Sequence, residues 1–475
     1  MLQNWLILLP ELSLLSFLPV AWLVERFRDS KTAKTFFTLS KFFLLTALLF
    51  TVVFYNKSVW NGWWLNNRYS TLFKVAVYLV ALVWFYLSSK WFLNKNRSSF
   101  RFYAIGMSML LLFGLLLSAQ NFVLPVVLVP LLCLLTRWLI LQHWDEDHVK
   151  AAADFYSVFA VLFCLMLWVG VLVLWRQTGS VEYAEIRRFL AAGSQVSVWG
   201  YAAVVMIVAS LLFMMAAAPF HFWFVGALTV SVLPVCGFLT LIPPFVYLSC
   251  LITLMTGVFA PLSAALHPLL LGFAVFSLFI GALSANGQVN VRRLFAFSSV
   301  YNLGFMLLGL LAFNANAVVS AFVYTIIYVL AMTGVYTVFL ALKSKGDYLE
   351  ELEDISGLSE VKPYVSAAFL IFMISLIGVP PLLGFWGRLS LINTLVWEER
   401  WGHVLMLMVA LVLMANAYLQ IIRKVYFEPL KNSFDRTDKA IYICLFINLL
   451  LVLISILNPS YLLHDAELVL SGVSQ

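Results

Sequence analysis

Runs of about twenty apolar residues recur from one end of the chain to the other, and the charged residues fall almost entirely between them. Twenty residues of helix, at about 1.5 Å each, span the hydrocarbon core of a bilayer. A helix is also the one open-ended element that satisfies its own backbone hydrogen bonds in lipid, which excludes strands for these runs. Composition agrees with this. The 475 residues are 63% hydrophobic and 11% charged, against about 25% charged in soluble domains. Too few charges are present to clothe a water-facing surface.

The pattern predicts an all-α polytopic membrane protein of about fourteen transmembrane helices. They fall near 5–24, 35–55, 72–93, 102–118, 121–142, 155–175, 198–218, 233–256, 266–285, 294–314, 317–341, 364–390, 403–427 and 440–458. The first run follows Met1-Leu2-Gln3-Asn4 with neither a basic segment nor a small-residue cleavage site, so it reads as a retained span. Cys133, Cys164, Cys236, Cys250 and Cys444 all lie within apolar runs without paired spacing, as buried small hydrophobes do. The net charge of +7 sits mostly in loops, where lipid headgroups account for it without nucleic acid.

Loops after odd-numbered spans carry Arg26, Arg28, Lys31 and Lys34, then Lys95, Arg97 and Arg101, then Arg292 and Arg293. Later odd loops carry Lys343, Lys345 and Lys362, then Lys431, Arg436 and Lys439. Even-numbered loops hold little beyond Lys57, Arg68, Arg176, Arg187, Arg188 and Arg400. The positive-inside rule then places the odd loops in the cytoplasm and both termini on the periplasmic side of a bacterial inner membrane.

Two spans are interrupted in a related way. The seventh, LLFMMAAAPFHFW (211–223), runs into Pro219, and the twelfth contains Pro380 and Pro381 followed by Gly384 and Phe385. Proline removes a helix donor and clashes with the preceding turn, so both spans should break or kink. Breaks at matching positions of two halves are a mark of inverted repeats, although prolines also simply bend membrane helices. The expected division is spans one to three in 1–101, a five-helix repeat in 102–256, a second in 266–427 and a final span in 428–475.

Three stretches resemble one family. AAAPFHFWF (216–224), QVNVRRLFAFSSVYNLGF (288–305), and DISGL with SLIGVPPLLGFWGRL (354–358, 375–389) occur in order across the chain. They are similar to signatures of the antiporter-like membrane subunits of proton-translocating NADH–quinone oxidoreductase, respiratory complex I. The motif positions are Gln288, Arg292, Arg293, Ser298, Ser299, Gly384 and Phe385. The fit is best to the subunit N branch, with Asn290 where the larger subunits usually carry Asp and no long C-terminal lateral helix.

The resemblance implies a chain that couples NADH-to-quinone electron transfer to proton translocation through a polar axis at mid-membrane. That axis uses a fifth-span glutamate, lysines in spans seven, eight and twelve, and a tenth-span histidine. Toggling a buried lysine against a carboxylate loads and releases a proton. On this sequence the glutamate position falls on Pro125 or Val129, the seventh-span lysine on Met214 and the eighth-span lysine on Pro244. A lysine near the start of span six falls around Asp154, the histidine falls on Asn302, and the twelfth-span lysine on Arg388. No acid occurs from Arg187 through Gly346 and no Lys or Arg from Ala191 through Val291. Arginine stays protonated in proteins and does not relay. The expectation is a local proton channel lost or rewired, with a role that is largely structural.

The remaining proton-path candidates are His221, Arg388 and Asn302, with no confident catalytic residue and no metal site. His221 either titrates at the broken helix or caps it through a backbone carbonyl. Ser298, Ser299, Tyr301 and Asn302 either bind water or hold helices together. Arg137, Lys74 and Glu11 read as span-end charges, and Arg292 and Arg293 as orienting loop charges. The stretch 343–363 reads as a partner contact or a solvated connector with a short amphipathic helix. No Rossmann, Walker or iron–sulfur motif is present, so NADH, flavin, iron–sulfur clusters and quinone are expected on partner membrane and peripheral subunits. The other readings are a non-catalytic assembly subunit of a related ion-pumping complex and a stand-alone transporter on the same scaffold.

Overall fold

Ten helices are long and apolar enough to cross a membrane among the residues that the computed structural model describes. Those residues are 6–27, 33–60, 62–143, 146–192, 196–311, 315–397 and 399–454. Both termini, Arg28 and Lys31, and positions 312–314 and 455–458 of the expected spans lie outside them.

The chain opens with α1 (Leu9–Phe27) and α2 (Ala33–Val53). A hairpin follows, β1 (Lys57–Val59) and β2 (Trp64–Asn66), in which Lys57 opposes Asn66 and Val59 opposes Trp64. The Asn66 amide donates to the carbonyls of Thr51 and Phe54 at 3.0 and 3.1 Å, tying the hairpin to the end of α2. Asn67 caps α3 (Arg68–Asn94), its side chain accepting from the Ser70 amide at 2.8 Å. Next come α4 (Phe100–Leu117), α5 (Val123–Ile140), α6 (Asp147–Thr178), the short amphipathic α7 (Tyr183–Ala191) and α8 (Val198–Met214).

The seventh span is broken: α8 ends at Met214 and α9 (Phe222–Val230) begins beyond a cis Ala218-Pro219 bond. The eighth, expected to be continuous over 233–256, is also divided, into α10 (Leu233–Leu241) and α11 (Pro243–Thr253). Pro243 and Pro244 have no amide to give to the preceding turn, and a second helix starts on them. The chain continues through α12 (Ser263–Ala285), α13 (Val291–Leu310) and α14 (Ala315–Ala341). A small hairpin, β3 (Lys343–Ser344) with β4 (Asp347–Tyr348), and the four-residue α15 (Leu358–Val361) occupy the charged connector. The twelfth span is α16 (Pro363–Ile377) and α17 (Leu383–Trp397), separated by Gly378 in the left-handed region and a cis Pro380-Pro381 bond. The last helices are α18 (Trp401–Phe427) and α19 (Lys439–Ile454).

The described residues divide into two units. One holds those up to Met215 together with Val230–Leu266, and the other holds Ala216–Thr229 with those from His267 onward. The two halves of the broken seventh span therefore belong to different units.

In the first unit α6 packs along α8, and the ring of Phe85 stacks with Phe238 and meets Tyr103 edge-on. The Trp84 indole donates to the Pro234 carbonyl at 2.8 Å and occupies the space over Gly237 that a side chain would fill. In the second unit α12 and α13 cross so closely that a Cβ on Gly304 would lie 2.7 Å from the Leu278 amide nitrogen. Small residues let membrane helices approach in this way where no hydrophobic effect drives them together. Helix α14 forms the centre of this unit, touching α13, α16, α17 and α19.

Candidate functional site

The break in the twelfth span leaves the last carbonyls of α16 without helical partners, as every helix end does. Arg388, on α17, supplies them. Its guanidinium donates to the carbonyls of Ile377 and Leu376, each at 2.5 Å, and the residue is 3% exposed. A cation at a helix C-terminus also meets the negative end of the helix dipole. Phe305 and Tyr301 lie beneath the guanidinium, their ring centroids 5.0 and 5.7 Å away. Gly378 permits the approach, because a Cβ there would lie 2.8 Å from Arg388 Cδ. Arginine at this position thus bridges the two halves of a broken helix and holds a fixed positive charge.

A buried hydrogen-bonded chain runs on from it. Arg388 Nη2 lies 3.5 Å from the Tyr324 hydroxyl, which donates to Asn302 Oδ1 at 2.5 Å. The Asn302 amide donates to the Ser298 carbonyl at 2.7 Å, and Ser298 Oγ is 2.6 Å from the Tyr418 hydroxyl. Tyr328 donates to Ser299 Oγ at 2.8 Å. The structure therefore brings Arg388, Asn302, Ser298 and Ser299 into one cluster. It contains one cation and no carboxylate, so it holds charge without a partner to exchange a proton with.

His221 stands apart from that chain. Its imidazole hydrogen-bonds the Pro219 backbone, its ring is 6.0 Å from that of Phe297, and Nδ1 is buried without a partner. At the same break the Ala218 amide donates to Ser277 Oγ at 2.8 Å. The remaining motif residues shape backbone. Gln288 donates to the Ser284 carbonyl at 2.6 Å, Asn290 caps α13, and Arg292 and Arg293 occupy its first turn. Arg292 pairs with Glu350. Gly384 lies against the Ser375 carbonyl where any Cβ would overlap it, and Phe385 packs edge-on against Trp386.

Apart from Asp154, which is exposed, the positions where the resemblance implies titratable groups in the first unit are apolar and buried. Val129 and Met214 are 0% and 3% exposed, and Pro125 and Pro244 are also buried. Met214 Sδ instead lies 3.5 Å from Cys133 Sγ, itself 3.7 Å from Cys164 Sγ. Arg137 pairs with Asp154 of α6 and donates to Ser157 at 2.8 Å, linking helices in addition to marking a span end.

Glu11 and Lys74 are not the span-end charges that the sequence suggested. Lys74 Nζ donates to Glu11 Oε1 at 2.6 Å, with the side chains 0% and 4% exposed. The Trp64 ring lies 4.5 Å from the ammonium. Glu11 Oε2 and the Tyr78 hydroxyl are buried without protein partners. Glu11 Oε1 and the Tyr78 hydroxyl converge on Gly114, where a Cβ would overlap the hydroxyl and lie 3.5 Å from Oε1. The signal was present in the sequence: Glu11 is the one charge from Leu6 to Val24, and Lys74 the one charge from Tyr69 to Ser89. Lone charges of opposite sign inside two apolar runs need each other once buried.

Outside the spans, Lys362 donates to the Ala341 and Asp435 carbonyls and to Thr437 Oγ1, at 3.1, 2.7 and 2.6 Å. Burial pushes its pKa down while nearby Asp435 opposes the shift. Lys431 pairs with Glu353 at 2.8 Å, a hydrogen bond that holds this exposed carboxyl below its usual range.

Residues 119–415 match the family described as NADH:quinone oxidoreductase/Mrp antiporter, TM. The chain is 26% identical over 475 residues to NADH-quinone oxidoreductase subunit N of Thioalkalivibrio sulfidiphilus, covering 98% of each. It is 28% identical over 454 residues to the Methylovorus glucosotrophus protein of the same name, covering 94% of this chain and 93% of that one. Its fold is similar to a chain of respiratory complex I from Thermus thermophilus, with TM-score 0.80 and 24% identity over 96% of this chain and 98% of that. A chain of the Mrp complex from Dietzia sp. gives TM-score 0.86 and 17% identity, over 100% of this chain and 98% of that.

Proposed function

The chain belongs to the NADH:quinone oxidoreductase/Mrp antiporter membrane family, and from that premise we propose that it is a membrane-arm subunit, of the subunit N type, of a proton-translocating NADH–quinone oxidoreductase. The observation that carries the reading is likeness along nearly the whole chain to proteins named as that subunit. NADH, flavin, iron–sulfur clusters and quinone then reside on the other membrane and peripheral subunits, and this chain contributes to the proton-translocating arm.

In this reading the chain crosses a bacterial inner membrane fourteen times, a count that rests on adding the shorter and interrupted helices to the ten long ones. Residues 102–256 and 266–427 form two inverted repeats, and both termini face the periplasm. Breaks at Pro219 and at Pro380-Pro381 support the repeat arrangement, each falling in one of the two stretches.

The central axis of this subunit is a scaffold and not a relay. Apolar Val129 and Met214 at implied titratable positions support this, as does an Arg388 committed to two carbonyls. A stand-alone transporter is disfavoured on the same ground, since it would need titratable or coordinating groups at mid-membrane.

Affinity purification of the tagged chain from its native membrane, without overexpression, tests the assignment. Flavin-bearing and quinone-reducing subunits should co-purify in stoichiometric amounts. Migration as a lone monomer would overturn the reading.

A further inference from the structure

The N-terminal helices carry an ion pair that the central axis does not account for. Glu11 and Lys74 are buried at 2.6 Å from each other, and one carboxylate oxygen is left without a protein partner. A purely structural pair would be expected to satisfy its remaining lone pairs, because an unpaired buried polar atom is costly.

The start of α3, six residues before Lys74, borders a cavity. The cavity, of about 640 Å³, is lined by Asn56, Asn67, Arg68, Gln120 and Arg187, together with Leu65 and Tyr69. Arg68 opens α3, and Lys74 follows six residues later, about 9 Å along the axis. Strand β2 separates the two. Successive strand residues face opposite ways: Leu65 lines the cavity, while Trp64 lies over the Lys74 ammonium. The stretches lining the cavity all adjoin loops that follow even-numbered spans, the side expected to be periplasmic.

We propose that Glu11 and Lys74 form a proton-exchange site of this subunit, loaded and unloaded through the cavity across the Trp64 strand. The inference rests on the reading of the chain as a membrane-arm subunit. Lys74 holds Glu11 Oε1, and the unpartnered Oε2 takes the proton. An O–H bond forms on the carboxyl as one breaks on hydronium, leaving water, and release is the reverse. The pair passes from neutral overall to a single positive charge and back. Tyr78, whose hydroxyl faces Gly114 as Glu11 Oε1 does and has no protein partner of its own, is the neighbouring hydroxyl group. Other charged residues on the packed elements are Glu25, Arg26, Lys34, Lys41, Arg68, Lys90 and Arg101, of which Arg68 is nearest along the chain to Lys74.

The test is the ratio of protons translocated to electrons transferred by the purified complex in liposomes. Glu11→Gln should lose the protons carried by one site while quinone reduction in detergent stays at the wild-type rate. An unchanged ratio in the assembled Glu11→Gln complex would overturn the proposal. The double variant Glu11→Gln/Lys74→Gln removes both charges yet keeps a hydrogen bond, so full translocation there would assign the pair to structure alone. Should neither variant assemble, redox-induced infrared difference spectra of the wild-type complex and of Glu11→Asp decide. A protonated-carboxyl band that shifts in the Asp variant supports exchange, and its absence from the wild type overturns it. Failure of partner subunits to co-purify would instead sink the assignment to the complex.

Discussion

At the scale of single residues, each buried charge among the described residues is answered by something nearby. Arg388 answers the orphan carbonyls of a broken helix, and Lys74 answers Glu11. Replacing Arg388 by Met should leave two buried carbonyls unpaired, at about 1–3 kcal/mol each. The expected outcome is a lower melting temperature and lower yield of the complex, with Arg388→Lys recovering part of the loss. Because the axis around Arg388 has no exchange partner, the proton-to-electron ratio of whatever assembles should match wild type. A ratio reduced by one channel's share would show that the cluster conducts. Gly114 gives a second prediction. Gly114→Ala should drive the new methyl into the Tyr78 hydroxyl and destabilise by about 1–3 kcal/mol. Tyr78→Phe in the same background should restore most of the melting temperature; no rescue would mean that some other contact is responsible. The Arg388 cluster was partly legible beforehand, since the motifs marked Ser298, Asn302 and Arg388. Tyr324 and Tyr418 were not, because a tyrosine in an apolar run looks the same whether its hydroxyl is paired or not.

At the scale of elements, proline position carried most of the readable information. Pro219 and Pro380 each announced a break that the structure contains, whereas the division at Pro243 and Pro244 goes unread because the run reads as continuous on its hydrophobicity. The run 233–256 stays apolar across its division, so its periodicity gives no sign of an interruption. Glycine contacts were illegible for a related reason: sequence does not say which backbone a missing Cβ admits. Gly384 admits the Ser375 carbonyl, holding α17 against α16. Gly384→Ala should push the two halves apart and reduce assembled complex several-fold, measured as complex bound per unit membrane. Normal levels would show that the halves part without consequence. Replacing Pro219 or Pro380 by Ala should also lower assembly by favouring a continuous helix that the packed neighbours do not fit. Wild-type levels in both variants would make the breaks incidental.

At the scale of the whole molecule, the arrangement of charge across loops makes a prediction that no single residue makes. Lys57 lies in the loop after the second expected span and Lys345 in the loop after the eleventh, so nine expected spans separate them. An odd number of crossings puts the two on opposite sides of the membrane. The cations of the odd-numbered loops, with Lys343, Lys345, Lys362, Lys431 and Arg436 among the later ones, assign the Lys345 side to the cytoplasm. Both positions are exposed. The native cysteines are buried or partly buried in apolar helices, which keeps them from a charged reagent. An impermeant thiol reagent added to intact cells should therefore label Lys57→Cys and spare Lys345→Cys, which reacts only after lysis or in inverted vesicles. The reverse pattern would invert the protein and move the Glu11–Lys74 cavity to the cytoplasmic face. Labelling of both from one side would break the count itself, by requiring an even number of crossings between them. The broken seventh span decides which, since eight of the ten long helices lie between the two positions and α8–α9 supplies the ninth crossing.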